Sequence, residues 1–88
     1  LVTSQFTIAN RLGLHARAAA QMVKIANRFV SEIRVKSGDR EVNGKSIMGI
    51  LTLAAVQGSL IFLTVEGPDE KEALALLGEL VMNKFGEE

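Results

Sequence analysis

The feature that most constrains the fold is a hydrophobic period that switches back and forth along 88 residues. In VTSQFTIA, Val2, Ser4, Phe6 and Ile8 share one side and Thr3, Gln5 and Thr7 the other, the period-two pattern of a half-buried strand. HARAAAQMVKIANRF follows with Ala19, Val23, Ala26 and Phe29 at three- to four-residue spacing, which predicts an amphipathic helix. SEIRVK and REVN alternate again on either side of SGD, so a hairpin is expected. SIMGILTLAA is too short and too apolar for periodicity to decide. Ser46 can cap it as a short helix, although Gly49 weakens such a helix by up to about 1 kcal/mol against alanine. SLIFLTVEG is the stretch richest in β-formers and is predicted to be a central strand. PDEKEALALLGELVMNKFG reads as the clearest helix. Asp69 and Glu72 have capping-box spacing, Ala73, Leu76, Leu77, Leu80 and Val81 make the buried stripe, and Gly86 marks the end.

The resulting order is βαββαβα. Such an order predicts an α+β fold in which four largely antiparallel strands form a sheet and amphipathic helices pack on one face. The other face carries Thr, Gln, Arg and Lys and suits solvent. With no linker, repeat or low-complexity segment, residues 1–88 are expected to be a single domain.

Composition narrows the chemistry. Cysteine is absent, which excludes disulfides and thiolate metal sites and points to a reducing compartment. The longest apolar stretch, LIFLTV, has strand length, and neither a membrane span nor a signal-peptide pattern is evident, so a cytoplasmic location is expected. Net charge is zero but unevenly spread. Up to Lys45 there are eight basic residues against three acidic ones; from Ser46 onward, two against seven. This polarity is either ordinary solvated charge or a means of steering acidic partners toward the first half.

The only histidine, His15, lies in GLHARAAAQMV, where the first helix begins. The first-turn amides of a helix lack carbonyl partners and carry partial positive charge. They disfavour an imidazolium and so keep a ring nitrogen available as a nucleophile; once that nitrogen carries a phosphoryl group, the same amides stabilise the new charge. Arg17 adds a donor fork matched to phosphate oxygens, and Gly13 permits an unusual backbone conformation or close approach by a partner. On these residues alone His15 is either such an acceptor or a capping histidine beside a solvated arginine.

Other chemistries fit less well. One histidine and no cysteine leave no His/Cys metal cluster, so no metal is expected. Asp39/Glu41 and Asp69/Glu72 are better explained by a hairpin and a helix start than as acid–base pairs. GKS in NGKSIM is too short for a nucleotide-binding loop, and no cofactor is implied. Without Tyr or Trp among the basic residues, nucleic-acid binding is not expected. A phosphorylatable histidine with no nucleotide site would make a carrier dependent on enzymes at each end.

GLHARAAA, KSIMGILTLAA and QGSLIFLTVEGPDEKEAL, in this order, resemble the HPr family, the histidine-containing phosphocarriers of the bacterial phosphotransferase system. The resemblance covers essentially the whole chain. It implies an open-faced β-sandwich, a four-stranded antiparallel sheet under three helices. It also implies that His15 takes a phosphoryl group on Nδ1 from phosphorylated enzyme I, beside Arg17, and passes it to an EIIA component. KSIMG is similar to the site used by the HPr kinase/phosphorylase, which implies regulatory phosphorylation of Ser46. Ile47, Met48 and Leu51 correspond to an apolar docking patch, with Arg17, Lys24, Arg28 and Lys45 as a charged rim. A monomer is expected.

Two positions depart from the family pattern. Ala18 stands where proline is usual, which adds an N–H donor to the first turn, and Asn27 stands where a basic residue is common. Two other readings stay open: a regulatory carrier of the nitrogen-branch or dihydroxyacetone-kinase type, and a binding module phosphorylated on Ser46 with an inert His15.

Overall fold

The computed structural model describes residues 1–87. Its elements run β1 (Val2–Thr7), α1 (Ala16–Ala26), β2 (Glu32–Ser37), β3 (Arg40–Asn43), α2 (Ile47–Thr52), β4 (Leu60–Glu66) and α3 (Glu70–Met82), followed by one 3₁₀ turn over Lys84–Gly86. The strands form one antiparallel sheet in the order β1-β4-β2-β3. β4 is internal, as its β-branched and aromatic content predicted, and it pairs on both edges.

Alternation along β4 decides where the core lies. Ile61, Leu63 and Val65 are fully buried, and across the ladders they face Phe6 of β1 and Val35 and Ile33 of β2. Onto this row pack Ala18, Ala19, Met22, Val23 and Ala26 of α1, Ile50 of α2, and Ala73, Leu77 and Val81 of α3. Burying each large aliphatic side chain contributes about 1.5–3 kcal/mol, so one continuous cluster suffices for a chain of this length. The opposite sheet face stays open, with Thr3, Gln5, Arg34 and Lys36 in solvent. This is the open-faced α+β sandwich expected from the order of elements.

Some local expectations are corrected. α1 ends at Ala26, with Asn27 as its C-cap, three residues short of the predicted helical run. Phe29 is buried nonetheless, because the chain beyond the cap folds back onto the core. Leu76 and Leu80 are only half-buried, whereas Met22 and Ala18 of α1, absent from the predicted stripe, are fully enclosed. The helical run at the end of the chain stops at Met82 rather than Gly86.

The capping box predicted for Asp69 and Glu72 does not form: the Asp69 side chain makes no cap hydrogen bond. Its carboxylate instead accepts the Val30 N–H (2.9 Å), the Ser31 N–H (3.0 Å) and the Ser31 hydroxyl, clamping the segment that leads into β2. Glu70 takes over the local role by accepting the Gly67 N–H at 3.0 Å. Gly67 itself has φ +152, and a Cβ there would lie 2.6 Å from the Ser31 Cα, so only glycine allows the two segments to approach this closely.

The Ser31 hydroxyl and the Val30 amide hold the Asp69 carboxyl below its ordinary value of 3.8. A carboxylate so depressed stabilises the fold above its unfolded value and loses that contribution as pH falls through the lower folded value. Asp69→Asn is therefore expected to unfold at lower urea concentration than the wild type at neutral pH. The gap should narrow as pH falls below the unfolded value and through the lower folded one, where the Asp69 carboxyl becomes neutral; urea midpoints across an acid titration check this.

Candidate functional site

Loop 8–15 carries the chain from β1 to α1, and three contacts give it one shape. Ile8 donates to the Ser59 carbonyl at 2.8 Å, Gly13 donates to the Asn10 carbonyl at 3.2 Å, and Leu14 donates to the Ala55 carbonyl at 2.9 Å. Gly13 has φ +68, and a Cβ there would stand 2.4 Å from the Ala55 oxygen and 2.9 Å from the Val56 Cα. The unusual backbone conformation raised for this glycine is realised, and the segment that crowds it is the chain's own Ala55–Val56. Leu14, buried beside it, anchors the loop in the core.

His15 is the N-cap residue of α1, with extended backbone at φ −78, ψ −179. Its Nδ1 accepts a hydrogen bond from the Arg17 N–H at 3.3 Å. An amide can only donate, so Nδ1 is unprotonated and the neutral ring carries its proton on Nε2. That proton is donated to Glu87 Oε2, 2.5 Å away. The side chain is 24% exposed, so the ring is neither entombed nor turned from the amides. At 3.3 Å the Nδ1 bond is long for N–H···N and is readily given up.

Arg11, Leu12, Arg17, Gly86 and Glu87, the last of them bonded to the ring, line an open hollow of about 350 Å³, ample for a tetrahedral anion. The Arg17 residue is exposed, and no ion pair engages its guanidinium among the described residues. Ala18, fully buried, sits in the first turn as a regular helical residue, so the helix persists without proline.

Arg17, Lys24 and Arg28 recur at seven- and four-residue spacing, which sets them along one exposed stripe of α1 and just past its end. Asn27 closes that helix by donating its N–H to the Val23 carbonyl at 2.9 Å. α2 packs beside α1. On α2, Ile47 and Met48 are exposed, at 40% and 72%, whereas Leu51 is partly buried against the core and Ile50 wholly so. The apolar patch is thus divided, with Leu51 at its inner margin. Lys45 extends its ammonium to the Phe29 carbonyl at 2.7 Å, a structural tie across the end of α1. Ser46 is the N-cap of α2, its hydroxyl accepting the Gly49 N–H at 3.0 Å.

Two residues at the site had not been singled out from sequence. Glu87 is 72 residues from His15 and follows the last helix in a stretch without periodicity. Asn10 had a weak signal, a polar side chain three residues before a glycine in a strand-to-helix loop. Its Nδ2 donates to the Gly13 carbonyl (2.8 Å) and to Glu87 Oε1 (3.1 Å), while its own Oδ1 is buried without a partner. A buried orphan of this kind costs about 1–3 kcal/mol, which the two donated bonds offset. Hydrogen bonds from His15 and then Asn10 hold the Glu87 carboxyl below its ordinary range. Among the described residues no group of His, Asp and Glu could hold a metal ion.

Residues 2–83 match the family model described as the PTS HPr component phosphorylation site. The chain belongs to the HPr family. Among its relatives is the phosphocarrier protein HPr of Cupriavidus necator, 49% identical over 81 residues, or 92% of this chain and 91% of that one. The crystal structure of HPr-C-His from Thermoanaerobacter tengcongensis superposes with a TM-score of 0.96 at 45% identity, covering 100% of this chain and 99% of that one. The crystal structure of an HPr dimer from the same organism superposes with a TM-score of 0.79 at 48% identity, over 93% and 94% of the two chains. HPr proteins are phosphocarriers of the phosphotransferase system, and this chain is one of that family. No helix among the described residues is long and apolar enough to cross a membrane.

The tight loop is the part of the site most sensitive to added bulk. Gly13→Ala is expected to cost about 2 kcal/mol or more, from left-handed backbone strain and displacement of Ala55. Urea denaturation measures the loss, and weakened His15–Glu87 contact should appear as altered ring chemical shifts in NMR spectra.

Proposed function

We propose that the chain is a cytoplasmic, monomeric relay in which His15 takes a phosphoryl group from phosphorylated enzyme I and passes it to an EIIA component. The observation that carries this reading is the unprotonated Nδ1 lone pair held at the first turn of α1, where the ring's two hydrogen-bond partners, Arg17 and Glu87, also line an open hollow. In the transfer, the Nδ1 lone pair forms a bond to phosphorus as the bond from phosphorus to the donor breaks. The Arg17 amide then exchanges its weak bond to Nδ1 for a phosphoryl oxygen, and the guanidinium of Arg17 adds further donors. The new dianion meets the positive end of an 11-residue helix. Transfer onward reverses these steps.

The exposed Ile47 and Met48, with Leu51 at their margin, form the docking patch in this reading, and Arg17, Lys24 and Arg28 the basic rim toward an acidic partner. Lys45 contributes charge to that rim from a position fixed by Phe29. Ser46 is the regulatory acceptor for an ATP-dependent HPr kinase/phosphorylase. A phosphate on this N-cap hydroxyl introduces negative charge beside the patch and repels the partners that the basic face attracts.

Incubation with phosphoenolpyruvate and enzyme I should label the wild type with an acid-labile, base-stable phosphate, and His15→Ala should take none. Arg17→Ala is expected to slow labelling by roughly tenfold or more, the scale of a lost charge-assisted contact. Ser46→Asp should lower the labelling rate while leaving the far-UV circular dichroism unchanged. A wild type that takes no phosphoryl group from a competent enzyme I refutes the relay. Labelled protein that discharges to nitrogen-branch acceptors, but not to sugar-specific EIIA proteins, assigns it to regulation instead.

A further inference from the structure

We propose that Met48 is a reversible oxidation site, at which a hydroperoxide converts the thioether to its sulfoxide, turns the docking patch polar and weakens partner binding. The proposal rests on the reading of Ile47, Met48 and Leu51 as that patch. The chain has three methionines and no cysteine, so thioethers are its only oxidisable sulfur. Their surroundings differ. Met22 is fully buried in α1. Met48 is 72% exposed beside the exposed Ile47. Met82 is 65% exposed on α3, where it borders Val2, Phe6 and Leu74 rather than α2. Oxidation needs access to the sulfur, so Met48 and Met82 react and Met22 is protected. Of the reactive pair, only Met48 lies in the patch.

In the reaction a lone pair on Met48 Sδ attacks one oxygen of hydrogen peroxide, and the O–O bond breaks. That oxygen stays on sulfur. The other leaves as hydroxide with the bonding pair and takes the proton that the transferred oxygen gives up, forming water. Sulfur is thereby oxidised and the peroxide reduced. The product carries a polar sulfoxide where an apolar thioether stood. Pressed against an apolar partner surface, its oxygen loses water and finds no donor, which opposes docking. The fold survives the change because other atoms hold α2. The Ser46 hydroxyl accepts the Gly49 N–H and its carbonyl accepts the Ile50 N–H, both at 3.0 Å, and Ile50 is fully buried. Methionine sulfoxide is reduced enzymatically, so the modification can be undone. It falls in the same first turn as Ser46, and brings polarity to that face without consuming ATP.

The test treats the folded chain with hydrogen peroxide, locates the oxidised residues by peptide mass spectrometry, and measures KM and kcat for phosphoryl transfer from phosphorylated enzyme I. Met48 and Met82 should each gain one oxygen atom and Met22 none. Oxidised wild type should show a KM raised on the order of tenfold with kcat little changed, the scale of losing one buried apolar side chain. Methionine sulfoxide reductase should restore it. Read as the ratio of treated to untreated KM, Met82→Leu should stay as sensitive as the wild type, and Met48→Leu should lose the sensitivity. Circular dichroism confirms that each species is folded. A Met48 that resists peroxide, an unchanged KM after its oxidation, or a Met48→Leu chain that stays sensitive overturns the proposal. Untreated Met48→Gln separates that failure from failure of the patch. A raised KM in this variant leaves the docking patch standing, whereas an unchanged one removes Met48 from the patch and ends the proposal with it. A wild type that takes no phosphoryl group from enzyme I overturns the relay and this role together.

Discussion

Burial of one face of β4 is the constraint on which the remaining structure depends. Ile61, Leu63 and Val65 can leave water only if helices cover that side of the sheet. α1 meets this need with a face rich in small residues, and its position is set by that packing. The helix start then lies where loop 8–15 crosses the segment around Ala55. The location of the His15 ring is a consequence of core packing, transmitted through Leu14 and Gly13.

Electrostatics at the helix start reinforce that placement. The Arg17 amide bonds to Nδ1 and thereby assigns the proton to Nε2, where Glu87 accepts it. One side of the ring is left with a lone pair in a positive environment, and the other with a donor facing a negative one. Backbone amides and two side chains, Arg17 and Glu87, produce this asymmetry.

The periodic segments were legible because each buries one face. The alternation in β1, β2 and β4 and the stripes of α1 and α3 identified four strands and their covering helices, and Ser46 was correctly read as the cap of α2. The errors came where long-range contacts replaced local ones. Asp69 had the spacing of a local cap, yet Val30 and Ser31 offered its carboxylate three donors on another segment. Phe29 lay on the extrapolated stripe of α1, but its burial comes from a turn after the helix. The apolar run of α2 could not be divided by pattern, since a six-residue helix samples too few turns to define a face.

By itself the sequence determined the order of elements, the antiparallel sheet with one covered face, and the histidine at a helix start with an arginine beside it. These follow from short-range periodicity and from the unpaired amides that every helix start presents. Only the tertiary structure decided which ring nitrogen carries the proton and which carboxylate receives it. Asn10, His15 and Glu87 meet because the chain's last turn inserts Phe85 into the core, and a contact spanning 72 residues leaves no periodic trace along the chain.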